Sequence, residues 1–146
     1  MRVSVQEAAF DPGAEVTAFT AGATGAGAVV SFTGLVRDQG GTLQAMRIEH
    51  YPGMTERAIR THAETAMVRF SLTDCAVIHR HGLLRPGEAI MMVATAAPHR
   101  ADAFAAAEFL MDYLKSRAPF WKKEIGADGA LWVAAKDSDE SSLNRW

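Results

Sequence analysis

Apolar and polar positions alternate along residues 27–37. Ala28, Val30, Phe32 and Val36 fall on one side, Val29, Ser31, Thr33 and Leu35 on the other, and Arg37 continues the second side. A period of two predicts a strand. The turn-forming run Asp38-Gln-Gly-Gly-Thr42 separates it from a second strand over residues 43–51, so the two are expected to form a hairpin. Residues 3–6 read as a short strand. Residues 74–82 and 88–96 read as two more, joined through Arg85-Pro-Gly87. The period lengthens after Pro52-Gly53. Residues 54–70 predict a helix with Ile59, Ala63, Ala66, Met67 and Phe70 on its inner stripe. The longest predicted helix, residues 98–117, opens at Pro98 and stops before Pro119. Its stripe is Phe104, Ala107, Met111 and Leu114, set against acidic Asp102, Glu108 and Asp112. Asp11-Pro12 signals one more helix start, with Val16, Phe19 and Thr20 inward, before a Gly/Ala/Thr connection over residues 21–28. A closing hairpin is expected from residues 120–125 and 130–135 around Gly126-Ala-Asp-Gly129. The polar tail, residues 136–146, is expected to lie along the surface or a neighbour.

Hairpins and helices are mixed without strict strand–helix alternation, which makes the expected class α+β. The expected architecture is one domain over residues 1–146, with an antiparallel or mixed sheet and two main helices. A chain of this length buries roughly 70% of its unfolded surface and needs no disulfide or metal to fold. Hydrophobic residues make up 49% and charged residues 22%, ordinary values for a globular chain. The formal charge of -2 argues against bulk electrostatic binding to nucleic acid or anionic membrane. Cys75 is the only cysteine, so neither an internal disulfide nor a cysteine-only metal site can form. Together with an N-terminal run that lacks a signal peptide's apolar core, this leads to an expected cytoplasmic location. No apolar run approaches the length of a membrane span.

Against that mildly acidic background, four cations crowd into nine residues: Lys115, Arg117, Lys122 and Lys123. Such a cluster between two structured segments suggests an anionic ligand. Lys115 falls in the last turn of the long helix, where it serves either as a dipole-matched cap, worth about 0.3–1 kcal/mol, or as a site residue. Alternation puts Phe120, Lys122 and Glu124 on one face of the following strand, and Trp121, Lys123 and Ile125 on the other. Lys122 and Lys123 therefore cannot both enter one pocket. His99 and Arg100 follow Pro98 at the start of the long helix. A cation there opposes the macrodipole unless a bound anion reverses the sign, the alternative being an ion pair with Asp102. Arg37 ends its strand either as a ligand group or as a solvated side chain. His79 and His81 share a strand face, but no third metal ligand accompanies them, and interior or edge histidines are the plainer reading. Cys75 reads as a small strand hydrophobe. The run Gly22-Ala-Thr-Gly25-Ala-Gly27 lacks the strand and helix of a nucleotide-binding loop. Nothing calls for a metal or cofactor.

Four blocks carry a family resemblance. They are Gly27-Ala-Val-Val-Ser-Phe-Thr-Gly-Leu-Val-Arg37, Glu49-His-Tyr-Pro-Gly-Met-Thr-Glu56, Pro98-His-Arg100 with Ala103-Phe104, and Met111-Asp-Tyr-Leu-Lys-Ser-Arg-Ala-Pro-Phe-Trp-Lys-Lys-Glu124. In these blocks the chain resembles the large, catalytic subunits of the molybdopterin synthase family, over about residues 27–146. The resemblance implies a hammerhead-like α+β fold and a sulfurtransferase of molybdenum cofactor biosynthesis. Such an enzyme converts cyclic pyranopterin monophosphate into molybdopterin by installing two dithiolene sulfurs. It implies a small ubiquitin-like sulfur-carrier partner whose C-terminal Gly-Gly ends in a thiocarboxylate. It also implies a homodimer of large subunits within a heterotetramer. By motif, Lys115 and Lys122 match the catalytic lysines. Leu35, Val36, Arg37, His99, Arg100, Lys123 and Glu124 match substrate-binding or pocket-bordering positions. Residues before 28 are less typical of the family. The expected picture is one cationic pocket for a phosphorylated pterin, in which neighbouring cations lower the pKa of Lys115. The sulfur is expected to come from outside, because no cysteine is placed as a carrier.

Three other readings fit the cluster alone. Phe120 and Trp121 among lysines could stack RNA bases. A lysine-dependent lyase could form a Schiff base with a carbonyl substrate. A structural subunit could use the cations only to grip an acidic tail.

Overall fold

The computed structural model describes residues 1–134 and 136–146. It contains two four-stranded sheets with helices packed around the first. The strands are β1 (Arg2–Gln6), β2 (Ala28–Leu35), β3 (Leu43–His50), β4 (Asp74–Arg80), β5 (Gly82–Leu84), β6 (Ala89–Ala97), β7 (Phe120–Gly126) and β8 (Gly129–Val133). The helices are α1 (Pro12–Gly22), α2 (Met54–Arg69), α3 (Arg100–Ser116) and a short α4 (Asp137–Ser142). The first sheet runs β1-β4-β6-β2, parallel only between β1 and β4. The second, β5-β3-β7-β8, is antiparallel throughout.

Local signals set most of the boundaries. Asp11 caps α1 by accepting from the Ala14 N–H at 3.1 Å, with Pro12 next. The β7–β8 hairpin closes at Gly126 and Gly129, the latter at φ 115, where a side chain would be strained. The last residue of the expected closing strand, Ala135, lies outside the described residues. The expected β2–β3 hairpin does not form: β2 pairs with β6 and β3 with β7, in different sheets. Pairing with β6 buries the Ala28 and Val30 side against α3, which a hairpin with β3 would leave without cover. The three-residue β5, too short for a visible period, holds the edge of the second sheet beside β3.

The main core lies between the first sheet and helices α2 and α3. The inner face of α3 is rotated from the expected stripe. Ala103, Ala106, Ala107, Phe109, Leu110 and Leu114 are buried, whereas Phe104 is 62% exposed and Asp112 only 9%. Alanines allow the helix to approach the sheet closely, so its inward side is not its bulkiest side. Asp112 is satisfied by the tail: it accepts from Trp146 Nε1 at 2.6 Å and pairs with Arg145 Nε at 3.1 Å. On the opposite face of the first sheet, α1 packs Val16 and Phe19 over Ala76, Ile78, Met92 and Ala94, while Thr20 faces solvent.

Gly27 fixes where the chain enters β2. Its N–H donates to Ala97 O at 3.0 Å, and a Cβ built on it would meet Pro98 O at 2.3 Å. Gly27→Ala should therefore cost about 1–3 kcal/mol, because backbone must move. A thermal melt should show a drop of several degrees, on the order of 2–4 °C per kcal/mol. An unchanged melting temperature would show that this approach is not tight.

Candidate active site

Two elements meet at one end of the first sheet. Helix α3 runs back from the Ala97 end of β6 and ends beside the strand start at Ala89–Met91, bringing Lys115 in its last turn next to Gly34 and Leu35. After α3 the chain breaks at Pro119 and enters β7. The buried Thr55 hydroxyl ties that break to the start of α2: it donates to Pro119 O at 3.2 Å and accepts from the Tyr51 N–H at 2.8 Å. Phe120 stacks flat on His79, ring centroids 3.7 Å apart, so its side of β7 faces the first sheet. Lys122, two residues on, points the same way.

The result is a cleft of about 340 Å³, measured to its open mouth. Phe32, Gly34, Leu35, Ile90, Met91, Met111 and Leu114 line it, together with three polar residues: Lys115, Lys122 and His79. Burial lowers the Lys122 pKa to about 8, with the Lys115 charge adding in the same direction and Asp139 opposing. The two amines, carried by different elements, thus feel each other across an apolar cleft. Lys123 goes elsewhere: its Nζ sits 4.3 Å from the Trp132 ring centroid, its cross-strand neighbour on the far face of β7. Glu124 is exposed, opposite Met46 and Leu131.

The remaining sequence candidates divide into two groups. Leu35 borders the cleft, Val36 is buried behind it, and Arg37 emerges at the same end of the sheet. His99 and Arg100 do not join them. His99 precedes α3 in extended conformation and Arg100 is its first residue, both exposed. Fifteen residues of helix put Arg100 about 22 Å from Lys115 along the axis. A single-chain convergence of all the cations is therefore corrected: Arg37, Lys115 and Lys122 share one end of α3, and His99 and Arg100 stand at the other.

Sequence reasoning passed over two participants. His79 was legible only as an interior histidine, yet it is the uncharged polar group of the cleft. It is 3% exposed, and its Nδ1 lies 2.8 Å from Arg80 O. That contact assigns the proton to Nδ1 and leaves Nε2 as an acceptor. The tail is the other. Ser116 Oγ donates to Asp139 O at 2.8 Å and Arg117 pairs with Glu140 at 2.9 Å, which sets α4 beside Lys122. The polar composition places the tail along the surface or a neighbour, as found, but does not single out the cleft.

Burial pulls the His79 pKa down to about 3, with Lys122 and Lys115 contributing, and it also lowers that of His62, stacked between Phe109 and Tyr113. Both histidines fold neutral and take up protons on unfolding. Their stability contribution is whole above about pH 6.5 and declines as pH falls toward 3. Chemical denaturation should therefore show stability falling already between about pH 6.5 and 5, where carboxylates are still charged, by on the order of 1 kcal/mol. His79→Gln and His62→Gln should each flatten that limb. A flat profile in the parent protein would contradict the neutral burial.

Other features carry no comparable chemistry. A roomier crevice of about 630 Å³ lies between α1 and the first sheet, but its charges are matched: Arg2 with Glu15, and the Met1 amino group with Asp74. Cys75 is fully buried and its thiol pKa is pushed up to about 12. Among the described residues no group of histidine, cysteine and carboxylate side chains could hold a metal ion, and no helix is long and apolar enough to cross a membrane.

Comparison with known proteins extends the picture. A family described as MoaE protein matches residues 5–117. A molybdopterin synthase catalytic subunit of Cereibacter sphaeroides is 69% identical, with 100% of each chain covered. Another, of Ralstonia nicotianae, is 56% identical over 99% of this chain and 83% of its own. Among solved structures, the molybdopterin biosynthesis MoaE protein from Burkholderia ambifaria superposes with a TM-score of 0.85 at 49% identity, covering 99% of this chain and 97% of that one. Molybdopterin synthase from Staphylococcus aureus gives 0.81 at 28% identity, covering 90% and 96%.

Proposed function

Because this chain belongs to the MoaE family, we propose that it acts as the catalytic subunit of a molybdopterin synthase. Its substrate is cyclic pyranopterin monophosphate, and its sulfur comes from the C-terminal Gly-Gly thiocarboxylate of a small ubiquitin-like subunit. The observation that carries the reading is the apolar cleft bordered by Lys115 and Lys122, with the Lys122 amine held near pKa 8. Two cations in an apolar wall suit a phosphorylated ligand and an incoming carboxyl-terminated tail. The cleft is small, about 340 Å³, which suits an extended Gly-Gly segment with no side chains.

In this reading Arg37 and Lys122 hold the anionic substrate. Lys115 moves protons during sulfur transfer or stabilises the tetrahedral oxyanion at the thiocarboxylate carbon. Leu35 and Val36 shape the wall, while Lys123 and Glu124 border β7 outside the cleft. The reaction takes place in the cytoplasm. RNA binding is less well supported, because Trp121 and Lys123 lie on the face of β7 away from Phe120 and Lys122, which splits the basic–aromatic run. The direct test combines the protein with a thiocarboxylated carrier and the cyclic pterin phosphate and assays the dithiolene. No product from folded protein would refute the reading.

His99 and Arg100 fit only with a second copy. In a dimer of large subunits, the far end of one α3 can complete the cleft of the other. Arg100→Ala should then weaken pterin phosphate binding without moving the melting temperature. Mixing inactive Lys115→Ala with Arg100→Ala protein should restore activity, since about one site in four in the mixture is intact. No restoration in a dimer shown to exchange subunits would remove the pair from a shared site.

A further inference from the structure

Arg80 is a buried arginine that the reaction above does not use. It ends β4 and is 7% exposed. Its guanidinium reaches two parts of the chain. Nε and Nη2 donate to Glu7 O at 3.1 and 3.0 Å, and Nη1 donates to Glu88 Oε1 at 3.3 Å and Ala89 O at 3.4 Å. The other Glu88 oxygen accepts the Arg85 N–H, closing the 85–88 turn on its own carboxylate. That N–H is the main reason the Glu88 carboxyl titrates below its ordinary range.

The same turn grips the end of β2. The β2–β6 register shifts between Gly34 and Leu35, and regular pairing stops at Leu35 opposite Ala89. Beyond it, the Val36 N–H donates to Glu88 O at 2.9 Å and the Gly87 N–H donates to Val36 O at 2.8 Å. Gly87 adopts φ 88, which permits the tight return. The backbone just before Arg37 is therefore held on both sides by a turn whose shape depends on Glu88. Arg37 follows directly and is exposed: these bonds fix its backbone root, while its guanidinium lies against the Gln39 side chain.

We propose that Glu88, anchored by Arg80, is a positioning residue for substrate binding: it fixes the 85–88 turn, and the turn aims Arg37 at the mouth of the cleft. This rests on Arg37 binding the anionic substrate. A long flexible cation gains specificity only if its root is fixed, and small displacements of a binding group lower affinity steeply.

The test uses Glu88→Ala, with folding checked by circular dichroism and Glu88→Gln as a milder second variant because buried Arg80 loses its carboxylate, alongside Arg37→Ala and the double variant, each in the full complex with carrier and cyclic pterin phosphate. Glu88→Ala should raise the KM for the pterin about tenfold, with kcat and the KM for the carrier little changed. The double variant should be no worse than Arg37→Ala alone, since Glu88 acts through Arg37. Without substrate, amide hydrogen exchange at Val36 and Gly87 should speed up in Glu88→Ala. The proposal is overturned if Glu88→Ala leaves the pterin KM unchanged while Arg37→Ala raises it, or if the two effects multiply. If Arg37→Ala itself leaves that KM unchanged, the assignment of Arg37 has failed, and the positioning role with it.

Discussion

Replacing Lys115 with alanine is expected to lower dithiolene formation about 10²–10⁴-fold, the usual contribution of a positioned acid–base group. The fold should survive, because Lys115 is exposed at the end of α3 and loses at most a capping contribution of about 0.3–1 kcal/mol. The loss should fall on kcat, with carrier binding measured separately and nearly unchanged. Lys115→Arg separates the rivals: an arginine keeps the charge but cannot give up its proton. If the cluster only gripped an acidic tail, the arginine variant would turn over normally. Trapping with borohydride covers the remaining possibility, since a Schiff base would leave the lysine alkylated. Normal turnover by well-folded Lys115→Ala protein would end its role in the chemistry.

The second large effect concerns pH. Burial, then the Lys115 charge, brings the Lys122 ammonium to a pKa of about 8, from 10.5. It is cationic below that value and neutral above it. If its charge holds the substrate, kcat/KM should be level below about pH 8 and then fall roughly tenfold per pH unit. Lys122→Arg keeps its charge across this range and should lose the break, whereas Lys122→Ala should be weak at every pH. A rate that climbs through pH 8 would mean that the neutral amine is the working form, and the substrate-gripping role would have to be abandoned.

How far these residues could be read from the chain depended on how local their determinants were. The split between Lys122 and Lys123 follows from strand alternation alone, and the structure agrees: Phe120 lies against His79 and Lys123 against Trp132. The capped start of α1, the span of α2 and the Gly126–Gly129 turn are equally local. Pairing was not. Whether β2 joins β3 or β6 depends on which partner buries Ala28 and Val30, and that partner is about sixty residues away. The inner face of α3 is not legible from side-chain size, because size does not determine burial: three alanines point inward while Phe104 points out. Asp112 could be buried only because Arg145 and Trp146 return to meet it. The placement of His99 and Arg100 far from Lys115 was a matter of arithmetic on helix rise, hidden by reading every basic residue as one patch.

Cys75 has a practical consequence. Its thiol is enclosed by the first sheet and is almost wholly protonated near neutral pH. An alkylating reagent such as iodoacetamide should leave this chain unmodified while reacting with the exposed thiocarboxylate of a sulfur donor. Pre-treating each component separately would then show by mass spectrometry which one brings the sulfur. A single cysteine introduced at the surface could likewise carry a fluorophore with no competing label.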